Sequence, residues 1–393
     1  MSDINDEDAA HFFESASTGG VFPQQTIAQE LLAGWGNSRG TIFPTSLQNA
    51  PVPPREWLVE DWIPRGSVTG LYGDGGVGKS LLAMMLMTCV SQGYPFLNLP
   101  TAQTKTFGFF CEDSEDELHR RQNDINHHYG CDFIHLEKMA WQSRVGKDNL
   151  LMTFDKGIGK YTETYSLMKE EIQDIGASFV IIDTAADTFG GNENARPEVR
   201  QYINLLGQLA IDIQGTVLLC AHPSRSGLAD ETGSGGSTAW NNTLRSRLYL
   251  RRPKLKDGDE ASEGDAKGIR ELEKMKSNYS SVGDKITLRW ASGAFQIEGE
   301  MGYDIVEKIQ KEKSQRDDEY TFLGLLDEFN KSGRTCSPLR GTRNFAPNVL
   351  RNKSISAARL EGAMNRLFDK KLIRVGTVCI GEDRHKKEGL IRV

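Results

Sequence analysis

The chain has 393 residues, 38% hydrophobic and 26% charged, a balance ordinary for a globular protein and wrong for a fibrous or disordered one. Its net charge of −7 argues against a uniformly basic nucleic-acid coat, while leaving room for a local basic groove. No apolar stretch approaches the roughly 20 residues that cross a bilayer, and the acidic start (Asp3, Asp6, Glu7, Asp8) is unlike a secretion signal, so no membrane contact and a cytoplasmic location are expected.

In chain order, residues 1–54 are rich in Gly, Ser, Asn and Pro and read as a mostly extended arm, with at most one helix over Thr26–Leu32. Order is expected from Trp57 onward. Ser67–Tyr72 reads as a short apolar strand entering a glycine loop, and Leu81–Val90 as an apolar helix leaving it. Short apolar runs then alternate with helical spacing, the pattern of a parallel sheet covered by helices. The strands are Thr106–Cys111, Phe179–Asp183 and Thr216–Ala221; Val199, Tyr202, Ile203, Leu206, Leu209, Ala210 and Ile213 mark a crossover helix before the last.

After a Gly- and Ser-rich loop (Pro223–Thr238), the runs Leu244–Leu250, Ile269–Met275, Lys285–Trp290 and Ala294–Ile297 read as antiparallel strands extending the sheet. The expected fold class is therefore α/β, with one large core domain over 55–299. A charged linker follows over 300–318, and 319–393 reads as a small winged-helix-like domain. In that last unit Tyr320, Leu323, Leu326 and Phe329, then Leu360, Met364, Leu367 and Phe368, repeat at helical intervals before a strand at Leu372–Val375. The six cysteines are scattered without metal spacing and are expected to be reduced, Cys111 and Cys220 as small buried thiols.

The chemistry is concentrated at strand ends. Gly73, Asp74, Gly75, Gly76, Val77, Gly78, Lys79 and Ser80 spell a full phosphate-binding loop in its strand-loop-helix context, with Leu81 opening the helix. Glycines let backbone amides approach phosphates, and the helix start adds partial positive charge. Lys79 is expected on the β- and γ-phosphates of ATP, and the Ser80 hydroxyl on Mg2+. Asp183 ends an apolar strand as a metal carboxylate would, although a strand-end cap has the same pattern; Asp187 is a weaker candidate.

Hydrolysis needs a group that orients and deprotonates water. Glu112 is the choice over Asp113, against the alternative that both only begin the acidic helix of Glu115, Asp116 and Glu117. His222, at the end of another strand, is read as a γ-phosphate sensor or a structural histidine. The loop holding Arg225, Gly227, Gly233, Gly235 and Gly236 is either a polymer contact or a plain surface loop. Alternation places Arg245, Arg247 and Tyr249 on a solvent-side face, where the arginines suit a finger acting on a neighbour's nucleotide or are simply solvated. Lys274 and Lys276 raise the same choice, with Lys276 favoured.

Between Trp57 and Glu298 the order of these parts resembles the RecA-like P-loop core of AAA-family ATPases, the DnaB-type hexameric replicative helicases and above all the RepA-like ATPases of plasmids and phages. The segments that carry it are "WLVEDWIPRGSVTGLYGDGGVGKSLLA", "FFCEDSEDELHRR", "FVIIDTAADTFGGNENARPEVRQ", "VLLCAHPSRSG", "GSGGSTAWNNTLRSRLYL" and "KMKSNYS". The resemblance implies a catalytic acid at Glu112, a metal aspartate at Asp183, a sensor at His222, a basic hairpin at Arg245 and Arg247, and a family lysine at Lys276. It also implies a homo-hexameric ring around single-stranded DNA, without the primase-binding domain of DnaB. Asn278 and Tyr279 stand where DnaB-type chains continue with lysine and arginine, which shifts the finger toward Arg245 or Arg247.

Two other classes remain open. One is an ATP-switched DNA-binding replication protein, its tail charged by Lys353, Arg359, Arg366, Lys370 and Lys371, residues that surface ion pairs would equally explain. The other is a metabolic kinase, for which the arginines and the flexible loop have no obvious purpose.

Overall fold

A computed structural model describes residues 44–223, 238–253, 268–299, 302–352, 354–380 and 386–393. The chain divides into two units, Met1–Arg55 and Glu56–Val393. In the first, the described part holds one 3-10 turn, Pro44–Leu47; the helix expected over Thr26–Leu32 lies outside the described residues.

The second unit is built on a nine-stranded sheet. Its strands are β3 (Ser67–Gly73), β4 (Thr106–Phe110), β5 (Met139–Ser143), β8 (Phe179–Asp183), β10 (Thr216–Ala221), β11 (Ser246–Arg251), β12 (Ile269–Ser277), β13 (Lys285–Ala291) and β14 (Ala294–Ile297). The short pair β1 (Trp57–Val59) and β2 (Ile63–Pro64) precedes it, and a three-stranded ribbon of β6 (Met152–Asp155), β7 (Ile158–Tyr161) and β9 (Phe189–Gly190) lies beside it. The spatial order β14-β13-β12-β11-β3-β10-β8-β4-β5 puts the glycine-loop strand β3 next to β10, and β10 next to β8.

The strands from β11 to β5 run parallel, and β12, β13 and β14 antiparallel. This is the expected α/β sheet with one correction. The first of the four runs after the glycine-rich loop pairs parallel with β3, Arg247 opposite Gly70, so only three strands are antiparallel. A short apolar run has the same composition in either direction, and here its direction is set by its neighbour across the sheet.

Parallel strands buried on both faces read as continuous apolar runs, and β8 and β10 are buried at every position. Their alternate side chains feed two cores. Phe179, Ile181, Leu218 and Cys220 meet α1 (Lys79–Gln92) and α2 (Glu115–Tyr129) in one core. Val180, Ile182, Val217 and Leu219 meet α3 (Glu163–Ile175), α5 (Arg196–Asp212) and α6 (Thr238–Thr243) in the other. The short α4 (Ala185–Thr188) leaves β8. Helix α1 is apolar nearly all round because it is buried nearly all round. Cys89, Cys111, Cys131, Cys220 and Cys336 are buried free thiols.

From Gly302 one helix, α7, runs unbroken to Lys331 across the linker boundary expected at residue 318. With α8 (Ala346–Leu350), α9 (Ala357–Asp369) and the antiparallel hairpin β15 (Ile373–Ile380) and β16 (Lys386–Arg392), its C-terminal half encloses a third core of Phe322, Leu326, Leu360, Met364, Leu367 and Leu390. Among the described residues no helix is long and apolar enough to cross a membrane.

Candidate nucleotide site

Open α/β sheets bind ligands beyond the carboxyl ends of their parallel strands. The expected glycine loop and three expected residues converge there. Glycine-loop residues follow β3, Glu112 follows β4, Asp183 ends β8 and His222 follows β10. Because β10 lies between β3 and β8, His222 stands between the glycine loop and Asp183. Residues Gly75 through Leu81 line a cavity of about 530 Å3, together with Glu112, Asp113, Arg121, Asp183, His222, Arg270, Trp290 and Phe295. That volume is within the range of small-molecule sites.

The loop turns at Gly76 (φ 65) and Gly78 (φ 104), conformations that favour glycine, and Gly78 caps α1. Lys79 and Ser80 therefore open the helix at its positive end. The Lys79 ammonium is almost fully buried and donates to the carbonyls of Gly73 (2.9 Å) and Asp74 (3.2 Å), with Nδ1 of His222 at 3.3 Å. Gly73 and Asp74 thus serve the site through Lys79 rather than by lining the cavity. Since an ammonium can only donate, Nδ1 of His222 accepts, and its proton is on Nε2. Burial and the Lys79 charge both hold the His222 ring below the usual histidine range; burial likewise lowers Lys79, against the opposing pull of Cys220, Asp183 and Glu112.

Asp183 is 1% exposed, and burial pushes its carboxyl up from 3.8 to about 6; a hydrogen bond from Ser80 pulls the other way, while the charges of Glu112 and Asp113 add to the rise. Its Oδ1 is buried with no hydrogen-bond partner among the described residues. A hydroxyl and one carboxylate with an unsatisfied buried oxygen fit Mg2+, which keeps several waters and needs few protein ligands. No group of three or more His, Cys, Asp or Glu suited to a metal occurs among the described residues.

The Asp183 shift has a signed consequence. Between pH 3.8 and about 6 the folded chain holds a proton that the unfolded chain has released, so stability from this group falls as pH rises through that window. Above it the fold carries a buried charge. Asp183→Asn should therefore raise the melting temperature of the nucleotide-free protein near neutral pH, by a stability gain on the order of 1–3 kcal/mol, while removing the extra stabilisation by Mg2+ and nucleotide. A lower melting temperature would contradict the desolvation account.

Glu112 lies before the helix rather than in it. Helix α2 begins at Glu115, with Ser114 as its cap accepting from the Glu117 amide, so Glu115, Asp116 and Glu117 occupy the first turn and Glu112 does not. Asp113 is ion-paired with Arg121, whereas Glu112 is exposed on the cavity wall. Asp187 accepts from the Thr184 hydroxyl at 2.7 Å and lies outside the cavity lining.

The basic residues are placed differently. Arg245, Arg247 and Lys276 do not line the cavity. Arg245 is exposed, but Arg247 and Tyr249 are each 4% exposed, correcting the expected solvent-side face. Alternation separates two faces without telling which is covered, and β11 lies inside the sheet, covered on both. The Arg247 guanidinium lies 5.7 Å from the Tyr72 ring centre, and its Nε and Nη1 have no hydrogen-bond partner among the described residues. Lys276 donates to the carbonyls of Asn241 (2.7 Å) and Asn242 (3.2 Å), closing the end of α6. Lys274 is fully buried and paired with Asp284 at 2.7 Å, a structural tie. The loop residues Arg225, Gly227, Gly233, Gly235 and Gly236 lie outside the described residues.

Four lining residues escaped the sequence reading: Arg121 of α2, and Arg270, Trp290 and Phe295 of β12, β13 and β14. Arg270 donates from Nε to the Val77 carbonyl at 3.0 Å. Its signal was the alternation of β12, which puts Arg270 on the same face as Leu272.

Residues 39–227 match the family described as AAA domain. Over that segment, which carries the full phosphate-binding loop, the chain is similar to AAA domains. That match contains the glycine loop, Glu112, Asp183 and His222, and it ends before β11, so Arg270, Trp290 and Phe295 lie beyond it. No curated protein sequence matches the chain. Among solved structures, one similar to it is a KaiC-like protein from the hyperthermophilic archaeon Pyrococcus horikoshii. It is 15% identical, with 63% of this chain and 99% of that one covered at a TM-score of 0.42.

Proposed function

We propose that the protein is an ATP-hydrolysing RecA-type motor, working as a hexameric DNA helicase in the replication of a plasmid, phage or mobile element. The observation that carries the ATPase chemistry is the meeting of Lys79, Ser80, Glu112, Asp183 and His222 around one cavity at the ligand edge of the sheet. Loop amides and Lys79 hold the phosphates. Ser80 and Asp183 hold Mg2+, which would neutralise charge on the transferring phosphoryl group. Glu112 takes the proton of the attacking water. His222, neutral and in contact with Lys79, carries the state of the γ-phosphate to the segment after β10. Location in the cytoplasm follows from the same proposed role.

The ring and its single-stranded DNA rest on the sequence resemblance. Arg245, exposed before β11, is the residue proposed to reach a neighbour's nucleotide; the burial of Arg247 makes it the poorer choice. The DNA-switch alternative loses support in the tail, where Arg359 pairs with Asp318, and Arg366 and Lys370 with Glu319. Those charges pin α9 to α7, and Lys353 lies outside the described residues.

Single-stranded DNA should raise ATP turnover at least several-fold, and mass sizing with a nonhydrolysable nucleotide should give a ring. Unstimulated turnover by a monomer would end the motor proposal. Mixing Arg245→Ala with Lys79→Ala subunits should recover part of the activity, because intact halves of the site meet across the boundary. No recovery would count against action in trans.

A further inference from the structure

The phosphate part of the cavity is built from the glycine loop, Lys79 and Ser80, whereas another part of its wall comes from the antiparallel end of the sheet. There Trp290 and Phe295 are directly paired across the β13–β14 hairpin, and opposed residues of an antiparallel pair project from the same face. Phe295 is 1% exposed and packs so closely on the glycine loop that a Cβ on Gly78 would fall 2.6 Å from its ring. It seats the hairpin against the loop.

Trp290 is mounted beside it, its amide donating to the Gly268 carbonyl at 2.8 Å, yet its side chain is 52% exposed within the same cavity wall. Of the other apolar residues on this face, Leu272 and Leu288 are completely buried and Ile286 and Ile297 partly so. A large flat indole left open in the same cavity as a phosphate cradle is chemically matched to a flat aromatic ring attached to phosphates.

We infer that Trp290 is the stacking platform for the nucleobase of the bound nucleoside triphosphate, placing base recognition on a hairpin outside the AAA-matched segment. The inference rests on the nucleotide reading of the cavity and adds the residue that binds the base. Stacking uses the π-face that every base has, and purines offer the larger face. The site therefore ranks purine above pyrimidine triphosphates, with the indole setting the preference.

The test compares binding of Mg·ATP, Mg·CTP and Mg·tripolyphosphate, a phosphate chain without a base, to the full chain and to Trp290→Ala and Trp290→Phe. Trp290→Ala should weaken ATP binding about tenfold or more, weaken CTP less, and leave tripolyphosphate unchanged; Trp290→Phe, which keeps a π-face, should restore most of the loss. Unchanged ATP binding by Trp290→Ala would overturn the inference and leave the site intact. Equal losses for ATP and tripolyphosphate would overturn it too, because the tryptophan would then act on the phosphate cradle. If the unaltered chain bound neither ligand, the nucleotide reading itself would fall, an outcome distinct from the other two.

Discussion

Lys79→Ala is expected to abolish nucleotide binding, weakening Mg·ATP at least about 100-fold and removing its stabilisation of the fold. The buried ammonium is the one side-chain charge of the glycine loop aimed into the cavity, and removing one partner of a buried, hydrogen-bonded charge pair costs about 2–5 kcal/mol. Thermal melting with increasing Mg·ATP gives the measurement. The unaltered chain should melt progressively higher, since a ligand bound only by the folded state adds stability with its concentration, and the variant should not move. A shift of equal size in both would remove Lys79 from the phosphate site.

Glu112→Gln should separate binding from turnover. The amide preserves the shape of the carboxylate but cannot take up a proton, so nucleotide affinity should stay within about threefold while turnover falls by about 100- to 10,000-fold. Asp113→Asn should cost far less, because Asp113 is already paired with Arg121. Single-turnover hydrolysis with prebound ATP reads the chemical step directly. An unimpaired Glu112→Gln variant would exclude Glu112 as the base and direct attention to water positioned by Asp183.

The central strands were legible because full burial leaves uninterrupted apolar runs, FVIID and TVLLCA, each ending where a polar residue meets the ligand edge. Strand β5 was not: MAWQS lies at the sheet's edge, every residue only partly buried, so selection for an apolar run is weak. The ribbon of β6, β7 and β9 escaped for the same reason, being short and half solvated. The glycine loop was legible because its turns at Gly76 and Gly78 demand glycine at fixed spacing. Trp290 and Arg270 were not, because a side chain reaching a cavity from a neighbouring strand needs no particular spacing. Arg247 shows the converse limit: periodicity assigned it a face, but only the neighbouring strands decide whether that face meets water.

The ammonium of Lys79 has three N–H bonds, and three acceptors surround it: two loop carbonyls and the Nδ1 lone pair of His222. It has no spare hand. To grip a phosphate oxygen it must release one of them, and the histidine, reached by the longest of the three contacts, is the first to go. Arrival of a phosphate is then a change of tenant at residue 222. The imidazole, no longer held beside a cation, regains a free lone pair and a higher proton affinity. Occupancy of the loop would be signalled onward as a change in basicity, before any strand or helix has moved.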